Sequence, residues 1–184
     1  MILGLILILA SPRLHSAAED GATPLEHEVK AAFLFNFAKF VEWPPDGTRE
    51  PGDGFTICVA DDEAFAEVLD RAVTGKTVEG RVLTVRRLQP ADDVRSCRIL
   101  YTGSADSPRL ASLLKSLRSA AVLTVGAAPG FTRRGGIINF ILEDNRVRFE
   151  INPDAAGRAG LRISSKLLQL ATIVRDERKA DIEP

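Results

Sequence analysis

Two histidines, two cysteines and one each of methionine, tryptophan and tyrosine are all that these 184 residues offer of the side chains most often recruited to chemistry. His15 falls in an apolar leader, which leaves His27 for the rest of the chain. A lone histidine cannot assemble an HExxH zinc site, and any Ser-His-Asp triad would have to use His27 itself. His27 itself sits in the first turn of a helix and reads as a solvated surface group. No GxGxxG follows the first strand and no GxxxxGK[ST] occurs, so nucleotide-cofactor enzymes lose their usual fingerprints. Basic charge in excess is missing too. The formal net charge is −1, and a duplex-binding protein needs surplus Lys and Arg to displace counterions. A local basic patch stays open.

Long apolar runs are also lacking. Ile2 to Ala10 is too short to span a bilayer but suits the h-region of a signal peptide. Ser16-Ala17-Ala18 supplies small residues for cleavage before Glu19, although no Lys or Arg precedes the run. No cysteine follows for lipid attachment. The expectation is a signal peptide over 1–18 and a single exported domain over 19–184. With 45% apolar and 27% charged residues, composition is ordinary for a globular domain with a proper core. In a reducing compartment Cys58 and Cys97 would be two inert core thiols; after export a pair is more often a disulfide. If their strands are neighbours, the bridge closes a loop of roughly 40 residues, worth roughly 4 kcal/mol in the chain-entropy treatment.

The elements follow in order. Thr23-Pro24-Leu25-Glu26 starts a helix, with Thr as N-cap, Pro at N1 and Glu closing a capping box. It runs to about Glu42 and stops where Trp43 precedes Pro44-Pro45. Val29, Phe33, Phe37, Phe40 and Val41 form its core stripe, leaving the Trp43 ring partly exposed at the end. Phe55–Ala60 is a strand, and Asp61-Asp62 then opens a helix to about Val73. An acidic pair there can hold Mg²⁺, but capping is the reading we take. Arg81–Leu88 and Cys97–Thr102 are strands, Ser107-Pro108 starts a helix to about Ser119, and Ala121–Val125 is a buried strand. Glycines 126, 130, 135 and 136 serve turns and close backbone approach rather than an anion nest.

Ile137–Leu142, Glu143-Asp144-Asn145 and Arg146–Ile151 read as a hairpin. In its second strand Val147, Phe149 and Ile151 share one face, and Arg146, Arg148, Glu150 and Asn152 the other, which is polar enough for water or a partner. From Ala155 to Ala171 the spacing of Leu161, Leu167 and Leu168 predicts a helix, with a bend or helix break between Pro153 and Leu161, where Gly157 and Gly160 weaken it. Arg158 and Arg162, one turn apart on that helix, would project together toward a carboxylate or an acidic surface. Ser164-Ser165-Lys166 is no Ser–Lys nucleophile, since neighbours on a helix point about 100° apart. The element order predicts an α/β fold: a three-layer αβα sandwich, its sheet mostly parallel, ended by the antiparallel hairpin and flanked by helices.

Gly135-Gly-Ile-Ile-Asn-Phe140, Arg148-Phe-Glu-Ile-Asn152 and Ala155-Ala-Gly-Arg-Ala-Gly-Leu-Arg-Ile-Ser-Ser-Lys-Leu-Leu-Gln-Leu-Ala171 resemble the C-terminal signature of the YfiR/HmsC periplasmic regulators. Val29 to Pro44 is similar to that family's first helix, so the resemblance covers nearly the whole mature chain. It implies a periplasmic, non-enzymatic repressor. Such a protein restrains an inner-membrane diguanylate cyclase through its periplasmic sensor domain, and so controls cyclic di-GMP and biofilm formation. Release by an outer-membrane, peptidoglycan-associated lipoprotein or by redox change, and homodimerisation, come with the resemblance. So does a bridge at Cys58 and Cys97; some members have a second pair that this chain cannot make. No cofactor, metal or nucleic acid is called for. The alternative is a periplasmic sensor taking an aromatic or anionic small molecule. Contact residues are expected at Trp43, Arg158, Arg162, Ile163, Ser164 and Leu168, with Ile163 turned outward while Leu161 and Leu167 are buried.

Overall fold

The computed structural model describes residues 22–45, 54–89, 91–103 and 108–176. The signal peptide expected over 1–18, most of the 47–54 loop and the Ser107 cap lie outside them. Five α-helices and ten strands are described: α1 (Pro24–Phe40), β1 (Val41–Glu42), β2 (Phe55–Ala60), α2 (Glu63–Val73), β3 (Thr77–Val78), β4 (Arg81–Arg87), β5 (Ile99–Thr102), α3 (Pro108–Leu117), β6 (Leu123–Gly126), β7 (Ile138–Glu143), β8 (Arg146–Ile151), α4 (Pro153–Arg158), β9 (Arg162–Ile163), α5 (Ser165–Leu168) and β10 (Thr172–Ile173).

One sheet runs β10-β8-β7-β6-β5-β2-β4-β3, parallel except for the β7–β8 hairpin and the β3–β4 edge pair. The hairpin turns on Asp144 and Asn145, whose φ of +50° and +58° is the mirror-image turn that matches strand twist. Alternation along the strands sorts the core. Ile57, Val59, Ile99 and Tyr101 pack with α1 and α2 on one face, while Cys58 and Leu100 pack with Leu117 of α3 on the other. The sandwich is three layers, as the sequence predicts.

Thr23 caps α1, its side chain accepting the Glu26 amide at 3.2 Å. Helix α1 contacts both α2 and β8, so its apolar residues spread round it rather than forming the expected stripe. His27, Lys30, Ala31, Leu34, Phe37 and Ala38 are buried, Phe33 is half-buried against the Phe149 ring, and Phe40 is exposed. The helix also ends at Phe40, two residues early. Val41 and Glu42 instead pair antiparallel with Ile163 and Arg162, a small second sheet made of segments far apart in the chain.

The helix expected over 155–171 is broken, and the break falls in the Pro153–Leu161 stretch where the glycines weaken it, but the chain beyond it does not resume as one helix. Asn152 caps α4, and Gly160 at φ +74° ends it in the left-handed conformation that favours glycine. The chain then extends as β9 before Ser164 caps the short α5, its hydroxyl accepting the Leu167 amide at 3.3 Å. Leu161 and Leu167 are both buried, so their spacing reported the core correctly while the backbone between them left the helix. On β8, Arg146 and Arg148 face solvent as expected, but Glu150 is half-buried and Asn152 fully buried.

Candidate functional site

The C-terminal segment packs on the end of α1. The β1–β9 pairing and the Ser164 amide donating to the Phe40 carbonyl at 2.9 Å tie the two together. Because the segment is not one helix, Arg158 and Arg162 part company. Arg162 leans across the ribbon to Glu42 at 3.7 Å, whereas Arg158 pairs with Asp176. The paired-arginine clamp is therefore absent. Ile163 is half-buried, its side chain packed on the core beside Val41, rather than turned fully outward. Ser164 spends its hydroxyl on the α5 cap, and Leu168 is half-buried. Trp43 stacks edge-on against Phe55 at 5.1 Å, with its indole N–H buried and without an acceptor among the described residues. Leu170, which the sequence reading passed over, is 73% exposed just beyond α5.

Cys58 and Cys97 are bridged, from neighbouring segments of the sheet and fully buried. Arg86 of β4 lies over the bridge, one guanidinium nitrogen 3.4 Å from each sulfur and 2.7 Å from the Ser96 hydroxyl. Burial keeps reductants away from the sulfurs unless the segment opens.

A second cluster escaped the sequence reading. The connection from β2 leads outward to β4 on one side and the connection from β5 leads outward to β6 on the other, so the sheet order reverses between the C-terminal ends of β2 and β5, the usual place for a crevice in such sheets. Asp61 at φ +59°, Asp62 and Gly103 form its rim. Asp62 caps α2 through the Phe65 amide and accepts from the Tyr101 hydroxyl at 3.4 Å. His27 lies 3.9 Å from the same carboxylate and edge-on to Phe65, with 8% of its surface exposed. It is thus not the solvated group expected; packing of α1 on α2 covers it. Among the described residues no cluster is placed to hold a metal ion.

Burial, then the charge of Asp62, pushes the Tyr101 phenol far above its ordinary value of about 10. A raised folded value means the contribution of this group is complete below about pH 10 and is lost as pH climbs through the folded value. Tyr101 is the sole tyrosine. Phenolate absorbance should therefore appear only together with loss of circular dichroism. Reversible ionisation near pH 10 in folded protein would contradict this burial.

The YfiR/HmsC-like family profile matches residues 27–172. The chain belongs to that family. Among solved structures, a conserved domain protein from Vibrio cholerae O1 biovar El Tor str. N16961 is similar at 16% identity and a TM-score of 0.49, over 80% of this chain and 59% of that one. The chain thus spans less than two thirds of the Vibrio protein.

Much of the YfiR/HmsC-like signature is structural in this chain. Phe131 is fully buried between Gly126 and Gly136, where an added Cβ would come within 2.5 Å and 2.1 Å of the ring. Asn139 accepts the Ala128 amide at 3.1 Å, and Thr124 accepts the Ile137 amide at 3.0 Å. Asn152 caps α4 and donates to the Thr132 carbonyl at 3.1 Å. These bonds satisfy buried backbone groups in the loop from β6 to β7, where no strand pairing is available.

Proposed function

We propose that this chain is a periplasmic regulatory protein that holds an inner-membrane diguanylate cyclase inactive by binding its periplasmic sensor domain. The match to the YfiR/HmsC-like family over 27–172 carries this reading. The bridge of Cys58 and Cys97 supports it, since structural disulfides persist in oxidising compartments. No helix among the described residues is long and apolar enough to cross a membrane. Homodimerisation and release by a peptidoglycan-associated lipoprotein belong to the same reading.

Docking is assigned to the C-terminal segment and the α1 end it covers. Leu170 is the most exposed large apolar side chain there, with Phe40 of the α1 end also exposed, and Arg162 with Glu42 gives a charged rim, the composition of a contact centre with a polar surround. Leu170→Asp is expected to weaken capture of the purified sensor domain by about 30-fold, or roughly 2 kcal/mol, while melting stays within a few degrees of the parent. Leu167→Asp, on a buried side chain, should instead unfold the protein. Ile163→Asp falls between, because its side chain is half-buried. Undiminished capture by Leu170→Asp would move the docking surface elsewhere. A second reading, a sensor of a small aromatic or anionic molecule, is favoured by one observation: the unsatisfied indole N–H of Trp43, a donor waiting for an acceptor. Trp43→Phe would remove that donor and keep the ring.

A further inference from the structure

Away from the α1 end lies a cleft of about 300 Å³ between α3, the loop over 131–135, α4 and the last described residues. Among the described residues its walls gather Lys115, Arg118, Arg133, Arg134, Arg158 and Arg175 against a single lining acid, Asp176. These cations arrive from four separate stretches of a chain whose net charge is −1, so the concentration is local and not a spill-over of composition. Arg175 is balanced by Asp154 at 3.3 Å and Arg158 by Asp176. Arg134 donates to the Pro129 carbonyl at 3.2 Å and holds the loop. Lys115, Arg118 and Arg133 have no salt-bridge partner among the described residues. Like charges brought together over a concave wall focus a positive potential and repel one another, an arrangement that only an incoming anion relieves.

Asp176 shows what the floor of this cleft accepts. Its carboxylate takes hydrogen bonds from Asn152 at 2.9 Å and from Arg158. Burial alone would push that carboxyl up, but these bonds and the charges of Arg158 and Arg118 hold it below the usual carboxylate range. One donor is left over, because the Arg158 Nε is buried without an acceptor among the described residues. The floor is thus built for oxyanions and has spare donor capacity beside the one it already holds.

We propose that this cleft binds a compact, multiply charged oxyanion of the phosphate class, gripped by Lys115, Arg118 and Arg133 at the rim with Arg158 at the floor. Guanidinium forks match the oxygens of carboxylates and phosphates alike two at a time, but a phosphate's third oxygen and second charge let one group engage several of these cations at once. The volume suits a small ligand. A soluble phosphate ester and the headgroup of an anionic phospholipid share this chemistry. The site does not depend on the cyclase reading, and its docking surface at Leu170 is a different one.

Calorimetry of the intact protein with inorganic pyrophosphate, repeated at increasing NaCl, tests the site. Flotation with phosphatidylglycerol and with phosphatidylcholine vesicles separates the two sources. One saturable site is expected, weakening as salt rises. Arg118→Glu and Arg133→Glu, both on exposed side chains, should each weaken it at least about tenfold, and Arg71→Glu on the opposite layer should leave it unchanged. Binding to phosphatidylglycerol vesicles alone, lost in the same two variants, would assign the phosphate to a lipid. No binding to either probe, or binding indifferent to both cleft variants, would overturn the proposal.

Discussion

Gly136→Ala should cost the fold about 3 kcal/mol, the upper end of what overpacking usually costs. The new Cβ would stand 2.1 Å from the Phe131 ring, and the ring has little room to retreat toward Gly126, where an added Cβ would likewise come within 2.5 Å of it. Phe131 is fully buried under Leu110 and Leu114 of α3, so relief requires moving a helix or the loop between β6 and β7. For a chain of this size the loss corresponds to roughly 6–12 °C in melting temperature. Denaturant unfolding of Gly136→Ala beside the parent checks it. A second variant, Gly136→Ala with Phe131→Leu, should cost less than the sum of the two changes, since the smaller side chain removes the clash. A Gly136→Ala protein as stable as the parent would mean that the ring is not gripped as described.

Removing the bridge should be as damaging. Cys58→Ala or Cys97→Ala is expected to lower stability by about 2–5 kcal/mol, the range seen for small exported domains. The bridge ties residues 39 apart in sequence and joins β2 of the parallel sheet to the segment that leads into β5. Its sulfurs are fully buried, so folded protein should resist mild reductant and take up no alkylating reagent by intact mass. Two added groups without prior reduction would contradict the bridge. Arg86→Met then asks what the guanidinium over the sulfurs contributes. Without it, the Ser96 hydroxyl loses its 2.7 Å contact and the bridge should become slower to reduce once opened, because a nearby cation favours the thiolate that reduction produces.

Local signals in the sequence carried most of the sheet. Thr23-Pro24 marked the start of α1, the strand patterns of β2, β4 and β8 were strong, and Asp144-Asn145 placed the hairpin turn where it occurs. The cysteine pairing was legible because composition left two cysteines and the strands were adjacent. The C-terminal segment misled because Leu161, Leu167 and Leu168 stand at spacings a helix would also give. Gly160 and Ser164, a helix stop and a helix start four residues apart, were the contrary signals. The β1–β9 ribbon has no local pattern at all. It exists because the Trp43-Pro44 junction forces extended backbone after Phe40 and a distant strand pairs with it. His27 was misjudged for a related reason, since helix-on-helix packing, not its own position in the first turn, decides its exposure. The cationic cleft is assembled from separate stretches, each carrying only one or two unremarkable basic residues.

Cellular cyclic di-GMP bears most directly on the regulatory role. In a strain that retains the cyclase, deleting this gene should raise cyclic di-GMP and surface attachment. The parent gene supplied in trans should restore both, and the Leu170→Asp gene should not, despite a normal level of folded protein. Unchanged cyclic di-GMP in the deletion strain under biofilm conditions would contradict restraint of a diguanylate cyclase by this protein.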